Sequence, residues 1–250
     1  MKKLKTILQK HSGRDTSGQM SVRHQGGRNK LFYREIDFKR SKRDIRARVE
    51  QIEVDPNRNA RVALLTYEDG DKGYILAPLG LEQGARIIAS ESAPINVGNA
   101  LPLDKIPAGT QIHNIEITPG RGGQIVRGAG LAAVIQGKEE NYVLVKLPSG
   151  EIRRFNPKSF ATVGQMGNIE ARTIKAGKAG VLRRRGIRPT VRGTAQNPHS
   201  HPHGGGEGRS GVGMKYQKTP WGRKAVGKTR RKNKYSDNLI VQPRKKGKHG

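Results

Sequence analysis

Cysteine is absent from the 250 residues, and aromatic side chains make up only 4% of them. No disulfide can form, and zinc-finger chemistry built on cysteine is excluded, so nothing in the sequence supports a secreted protein. Long apolar runs are lacking too. The opening MKKLKTILQK is basic, and its apolar residues never form the uninterrupted stretch of a signal peptide or membrane span. These absences favour a soluble intracellular protein without a membrane partner.

Acidic side chains are scarce relative to basic ones. The chain has 49 Lys and Arg against 20 Asp and Glu, a formal net charge of +29. Such an excess is unusual for a soluble enzyme and indicates a polyanionic partner. Because only 33% of the residues are hydrophobic, a single core through the whole chain is not expected.

The basic charge is concentrated at the two ends. Residues 1–46 hold 14 Lys and Arg and 4 Asp and Glu, whereas residues 176–250 hold 20 and 2. Residues 47–175 hold 15 and 14, which makes a nearly neutral body between two cationic arms. The arms are rich in Gly and Pro and have few apolar residues, so they are expected to need a partner to become ordered. Nucleic acid fits that requirement better than a merely solubilising role does.

The body has the pattern of β-strands and tight turns. A hairpin is predicted from RVALLTY (Arg61 to Tyr67) to GYILAPL, and a second from NYVLVKL (Asn141 to Leu147) through Pro-Ser-Gly to EIRRF. A strand is also predicted at IRARVEQIEV, and TQIHNIEI (Thr110 to Ile117) is interpreted as one alternating strand. The Pro- and Gly-rich segment from Gly98 to Gly109 is the predicted boundary between two β units.

Basic arms on small β units suit RNA better than duplex DNA. Folded RNA has irregular crevices into which narrow segments can thread, and its deep major groove does not admit a docking helix. No helix-turn-helix or leucine-zipper pattern is present. A DNA-packaging protein is the alternative, although such a protein would be simpler than a chain with two patterned β units.

One long segment carries a family resemblance. RGIRPTVRGTAQNPHSHPHGGGEGR (Arg185 to Arg209), followed by TPWG, resembles the universal large-subunit ribosomal protein two family, and its bacterial or organellar type in particular. Four further matches occur in the family's order and extend the resemblance over nearly the whole chain: DFKR, DPNR, YILAP and PGRGGQ. One departure is Ser200, which stands where the bacterial form usually has aspartate.

The resemblance implies a mainly β fold with two small barrels. These are an oligonucleotide-binding-type barrel over residues 31–100 and an SH3-like barrel over 101–175, with basic extensions at 1–30 and 176–250. It also implies a structural role in the large ribosomal subunit, near the peptidyl transferase centre, in subunit association, tRNA placement and peptide-bond formation. The implied partners are large-subunit rRNA, neighbouring ribosomal proteins, the small subunit through an intersubunit bridge, and tRNA. No cofactor is expected on the protein alone, and Mg²⁺ would arrive through the rRNA of a cytoplasmic or organellar ribosome.

The residues expected to bind RNA lie in both regions. In the body the resemblance assigns Arg40, Lys42, Arg58 and Arg127, each of which an ordinary exposed charge would also explain. Arg58 and Arg127 suit bidentate contact with phosphate. The complete predicted set is Arg40, Lys42, Arg58, Arg121, Arg127, Arg188, Arg192, His201, His203, Gly204, Gly205, Gly206, Arg209 and Trp221. For Trp221 both stacking and packing remain open.

Two glycine-rich loops invite a chemical interpretation. Gly120, Gly122 and Gly123 could form a tight turn, bring the backbone close to phosphate, or do both. In NPHSHPHGGGEGR, the alternating histidines suggest metal binding, or acyl transfer with His201 as the base. We find no independent nucleophile or oxyanion signature, and Ser200 removes a carboxylate that would orient His201.

An RNA-docking loop is therefore the preferred interpretation of this histidine-glycine segment, with the amides of Gly204, Gly205 and Gly206 facing phosphate. No metal site and no catalytic residue are predicted, and His201 is the alternative catalytic candidate. A free RNA chaperone or translational regulator is a third hypothesis, and it predicts substantial protein outside ribosomes.

Overall fold

The computed structural model describes residues 4–226 and 234–245, which fall into two compact units. The body unit consists of residues 4–8, 30–175 and 235–245. The arm unit consists of residues 9–29, 176–226 and 234. The predicted mainly β fold with two small β units is confirmed.

Strands dominate the secondary structure. In chain order they are β1 (Lys5–Leu8), β2 (Leu31–Arg34), β3 (Ala47–Val54), β4 (Arg61–Tyr67), β5 (Lys72–Leu76), β6 (Arg86–Ile87), β7 (Ala100–Pro102), β8 (Gln111–His113), β9 (Ile115–Glu116), β10 (Gly123–Ile125), β11 (Ala133–Lys138), β12 (Val143–Lys146), β13 (Ile152–Phe155), β14 (Phe160–Val163) and β15 (Ile240–Gln242). Helical segments are α1 (Ala179–Arg185) and the 3-10 turns Leu103–Lys105, Ile169–Arg172, Gly193–Ala195 and Tyr235–Leu239. No helix in the described ranges is both long and apolar enough to cross a membrane.

The first sheet is antiparallel and has the order β5-β4-β3-β6. The predicted hairpin is confirmed, because Val62 pairs with Leu76 and Thr66 with Lys72. A register shift between Val49 and Gln51 marks a bulge in β3, and such bulges curl a sheet. One side of the sheet packs into an apolar cluster that includes Ala47, Val49, Ala63, Leu65, Ile75 and Ile87.

The second sheet has seven strands in the order β15-β13-β12-β11-β8-β14-β7. The second predicted hairpin, β12 with β13, is confirmed by the pairing of Val143 with Phe155 and Lys146 with Ile152. Its apolar cluster is the largest in the body unit and includes Leu101, Leu103, Ile106, Ile112, Ile115, Ile135, Val145 and Phe155. Burial of these side chains is the main source of stability of this part of the fold.

The predicted strand from Thr110 to Ile117 is interrupted, so its interpretation as one alternating strand was wrong. Asn114 has a φ of +49°, in the left-handed region that asparagine tolerates better than most residues. The break separates β8 from β9 and reverses the alternation of faces. Ile112 and Ile115 are consequently both fully buried although they are three residues apart.

The structure adds detail at the predicted domain limits. Leu101, Leu103 and Ile106, within the segment predicted as the boundary, are buried in the core. β1 pairs with β2, and β15 pairs with β13, so two short segments of the predicted extensions belong to the body unit. The limits at residues 30, 100 and 175 themselves stay a prediction.

The arm unit is held together by backbone hydrogen bonds rather than an apolar core. Of its described residues only Gly13, Gly26 and His201 are buried. The N–H of Gly26 donates to the Gly186 carbonyl (2.8 Å), and the Asn29 N–H donates to the Arg184 carbonyl (2.8 Å). These bonds join the N-terminal basic segment to the end of α1, a pairing that the sequence did not predict.

Candidate nucleic-acid interface

In the body unit, two of the predicted RNA-binding arginines converge on one aromatic ring. The guanidinium of Arg127 lies 4.5 Å from the centroid of Phe38, and that of Arg58 lies 5.9 Å from it. The main chain at Phe38 is held in place, because the Phe38 carbonyl accepts hydrogen bonds from the N–H of Gly123 (2.8 Å) and from Nδ2 of Asn114 (3.3 Å). Two planar cations thus lie near one aromatic ring, and each guanidinium group has a shape suited to contacts with phosphate.

Arg58 is positioned by a buried carboxylate in the DPNR segment. Its Nε donates to Oδ2 of Asp55 (2.7 Å), and the backbone N–H of Asn57 donates to Oδ1 (3.0 Å). Burial by itself would raise the pKa of Asp55, but the hydrogen bonds from Asn57 and Arg58 outweigh it and hold that pKa below its usual value. The carboxylate therefore stays ionised and fixes the guanidinium.

The glycine-rich loop PGRGGQ closes around a buried carboxylate that the sequence pattern did not indicate. Glu116 is buried, and it accepts hydrogen bonds from the N–H groups of Gly120 (3.1 Å), Gly122 (2.9 Å) and Phe160 (3.0 Å). The N–H groups of Gly120 and Gly122 donate to this internal carboxyl group, which supports the tight-turn interpretation, whereas close approach of the loop to phosphate stays a prediction. The loop leaves Arg121 exposed.

Arg40 and Lys42, predicted to contact RNA, are both engaged within the body unit. Arg40 is buried, with Nη1 donating to the Gly98 carbonyl (3.0 Å), and burial lowers the pKa of its guanidinium. Lys42 forms ion pairs with Asp69 and Asp71, whose hydrogen bonds raise the pKa of the amine. In this structure Arg40 acts as a packing residue, and Lys42 carries an internally compensated charge. Their RNA contacts stay a prediction.

His113, in β8 of the body unit, has a buried imidazole ring. Its Nδ1 lies 2.8 Å from the Gly164 carbonyl and therefore carries the proton. Burial lowers the pKa of His113 to about 4, against a hydrogen bond that favours the charged form, so the ring is neutral near pH 7. Strict alternation with Ile112 would place His113 on the opposite face of the strand, so the sequence pattern gave no signal for its burial.

In the arm unit, two histidines of the histidine-glycine loop form a linked pair. The rings of His201 and His203 are tilted, with their centroids 4.7 Å apart. The N–H of His203 donates to Nδ1 of His201 (3.0 Å), and the N–H of Lys218 donates to Nε2 of His203 (2.9 Å). An imidazole nitrogen that accepts a hydrogen bond must be unprotonated. The structure thus requires the neutral tautomer with the proton on Nε2 in His201 and on Nδ1 in His203.

The glycines of this loop allow close packing within the chain. A Cβ on Gly204 would lie 2.4 Å from the carbonyl carbon and oxygen of Asn197, and one on Gly193 would lie 2.5 Å from the ring of His201. The N–H groups of Gly204 and Gly205 donate to the carbonyls of His201 (2.9 Å) and Gln196 (3.3 Å). The amides of Gly204 and Gly205 thus donate within the chain, unlike the expectation that they face phosphate, and for Gly206 that expectation stays a prediction.

The other predicted contacts of the arm unit differ in their exposure. His201 is buried and His203 is half-buried, whereas Arg188, Arg192, Arg209 and Trp221 are exposed. Trp221 keeps 73% of its surface exposed, which excludes packing into a core within the arm unit. Among residues 4–226 and 234–245 no group of three or more His, Cys, Asp and Glu side chains is arranged to hold a metal ion.

Comparison with known families assigns both parts of the chain to the same family. Residues 1–89 match the family described as "Ribosomal Proteins L2, RNA binding N-terminal domain". Residues 96–222 match "Ribosomal Proteins L2, C-terminal domain", and this match includes the histidine-glycine loop. The two matches cover most of the chain and agree with its two β units and basic surface. The chain therefore belongs to the ribosomal protein L2 family and is a structural, RNA-binding constituent of the large ribosomal subunit.

Proposed function

We propose that this chain binds large-subunit rRNA near the peptidyl transferase centre, where it supports subunit association, tRNA placement and peptide-bond formation without supplying a catalytic group. The observation that carries the proposal is the composition of the arm unit. Its described residues have 16 Lys and Arg but only two acidic side chains, Asp15 and Glu207. A unit with this charge and no apolar core is expected to gain its order from a folded polyanion.

The geometry at His201 supports a structural role over direct acyl transfer. A general base needs an unprotonated nitrogen within reach of the reacting group. Nδ1 of His201 is the unprotonated nitrogen, and the His203 amide already occupies it. Nε2 carries the proton and can donate to an RNA oxygen. His201 is also buried, which fits a residue that shapes its loop.

Substituting His201 tests the two roles against each other. We expect His201→Ala to reduce incorporation of the protein into large subunits or their joining to small subunits, whereas particles that contain the variant keep peptide-bond formation. His199→Ala is the matched control, because His199 is exposed in the same loop. Gradient sedimentation measures assembly, and a peptide-bond assay on the purified particles measures chemistry. Normal assembly with abolished chemistry would favour the acyl-transfer alternative.

The remaining partners follow from the same placement. The proposed contacts are with neighbouring ribosomal proteins, tRNA and the small subunit through a bridge, and Mg²⁺ would be held by rRNA phosphates. Sedimentation of a cell lysate distinguishes this from a free RNA chaperone or regulator. The protein should migrate with large subunits and whole ribosomes, and a major fraction at the top of the gradient would contradict the proposal.

A further inference from the structure

A small hairpin in the arm unit presents two aromatic side chains to solvent. The N–H of Thr219 donates to the Arg223 carbonyl (2.7 Å), and the N–H of Ala225 donates to the Gln217 carbonyl (2.8 Å). The turn between them is TPWG. Its proline occupies the second position, which favours the φ of proline, and Gly222 has a φ of +78°. The hairpin is therefore locally encoded, and it holds Trp221 at its tip.

Both exposed rings of this hairpin are paired with cations. Trp221 is 73% exposed, and the guanidinium of Arg23 lies 5.8 Å from its ring centroid. Tyr216 is 47% exposed, and Nζ of Lys224 lies 4.3 Å from its centroid. The hairpin is also fixed to the histidine-glycine loop, since the Lys218 N–H donates to His203. Aromatic faces and positive charge thus occur together on a positioned element.

This combination matches the chemistry of single-stranded nucleic acid. Unpaired bases have open π-faces that stack on aromatic side chains, and nearby cations attract the phosphates of the same strand. In a continuous duplex those faces are covered by neighbouring base pairs, so an exposed indole has little to stack on. The surroundings of Trp221 are strongly basic, which favours a polyanionic partner such as RNA over a second protein.

We propose that Trp221 and Tyr216 form a stacking platform for unpaired nucleobases, with Arg23 and Lys224 holding the adjoining phosphates. The inference rests on the proposed function, because it specifies which chemical form of the RNA this part of the arm unit recognises. It assigns the TPWG hairpin to a loop, bulge or single-stranded junction of the RNA.

Trp221 is the single tryptophan of the chain, so its fluorescence reports on this site alone. Titration of the full-length protein with a short unstructured RNA should quench the fluorescence as the base stacks on the indole. A blunt duplex of the same length should bind through its charge and leave the emission nearly unchanged. Equal quenching by both RNAs would overturn the platform.

Substitutions at Trp221 separate stacking from apolar packing. Trp221→Leu should bind large-subunit rRNA about 10-fold more weakly than the native protein. Trp221→Phe retains a π-face and should stay close to native affinity. Val226→Ala is the matched control, because Val226 is an exposed apolar side chain of the same unit without a π-face, and it should have no effect.

Two failures can be distinguished in this experiment. Equal affinities of the Leu and Phe variants would overturn the stacking platform and leave the proposed function standing; they would mean that a protein surface covers the ring or that the ring has no partner. Absence of any binding of the native chain to large-subunit rRNA would overturn the proposed function, and the platform with it.

Discussion

The body unit and the arm unit differ in how they balance charge and bury apolar surface. The described body residues hold 25 Lys and Arg against 18 Asp and Glu and contain the apolar clusters around Leu65 and Leu101. The described arm residues hold 16 against 2, and their three buried residues are two glycines and a histidine. Apolar burial accounts for the stability of the body unit. Neutralisation of its positive charge by a partner must account for the order of the arm unit.

The hydrogen-bond partners of individual carboxylates show the same difference between the two units. In the body, Glu53 accepts hydrogen bonds from Arg34 (2.7 Å) and Lys5 (3.2 Å), and these bonds outweigh burial and lower the pKa of the Glu53 carboxyl. In the arm, Asp15 uses its carboxylate to accept hydrogen bonds from Ser17 and Gln19. The arm unit has too few acids to compensate its arginines, so their counterions must come from outside the chain.

Ionic strength should give the largest effect. If about 10 phosphates are engaged, affinity for large-subunit rRNA should fall about 10³- to 10⁵-fold between roughly 50 and 200 mM salt. Replacing Arg188, Arg192 and Arg209 with Gln should reduce the log–log slope by about 3. Lys72→Gln in the body is the control, since Glu50 already compensates Lys72. A filter-binding salt series measures the slope, and a slope unchanged by the triple substitution would contradict the assignment of RNA contacts to the arm unit.

Substitution of one leucine in each unit compares how much apolar packing contributes to the stability of that unit. Leu65→Ala should reduce the free energy of unfolding by about 3–4 kcal/mol, because Leu65 is fully buried in the first sheet's cluster. Leu182→Ala, on the exposed face of α1, should change it by at most about 0.5 kcal/mol. Denaturant unfolding followed by circular dichroism measures both. Similar costs would mean that the arm unit contains a core of its own.

Acid should weaken the body through His113. Its pKa is about 4 in the folded chain against 6.5 ordinarily, so the unfolded chain binds the proton first as pH falls. Above pH 6.5 the neutral ring contributes about 3 kcal/mol to the free energy of unfolding, and this contribution is lost as the pH falls towards 4. His113→Gln should flatten this part of the stability–pH curve, and exposed His199→Gln should not. If the His113→Gln variant kept the native stability–pH curve, protonation of His113 would not be the cause of the loss of stability in acid.

Two glycines should separate stability from RNA binding. A Cβ on Gly123 would lie 2.1 Å from Oδ1 of Asn114, so Gly123→Ala should destabilise the body by about 2 kcal/mol. A Cβ on Gly204 would meet the Asn197 backbone, so Gly204→Ala should deform the histidine-glycine loop and weaken rRNA binding. The body's unfolding free energy should be the same in that variant. Calorimetry and rRNA titration together test the pair, and loss of body stability in Gly204→Ala would argue against separate units.

Local patterns were sufficient to predict the hairpins. The hairpin from Arg61 to Leu76 and the one from Val143 to Phe155 have alternating or β-branched strands and strong turn residues. The charge partition likewise predicted a basic region distinct from the body, because charge follows directly from composition. The turn at TPWG is encoded locally in the same way.

Features that depend on distant parts of the chain could not be predicted. Burial of Arg40 depends on the Gly98 carbonyl, and the role of Glu116 depends on a loop that folds back onto it and on the Phe160 amide. The pairing of Gly26 with Gly186 joins segments 160 positions apart in the chain. For Trp221, the sequence left stacking and packing open; its exposure excludes packing into a core of the arm unit, and stacking stays a proposal.

Amide hydrogen exchange of the full-length chain, with and without large-subunit rRNA, tests the central claim most directly. The account predicts slow exchange in β3, β4, β11 and β12 under both conditions. Amides of residues 9–29 and 176–226 should exchange fast in the free protein and become protected when RNA binds. Equally strong protection of those residues without RNA would contradict the claim that the arm unit takes its order from the RNA.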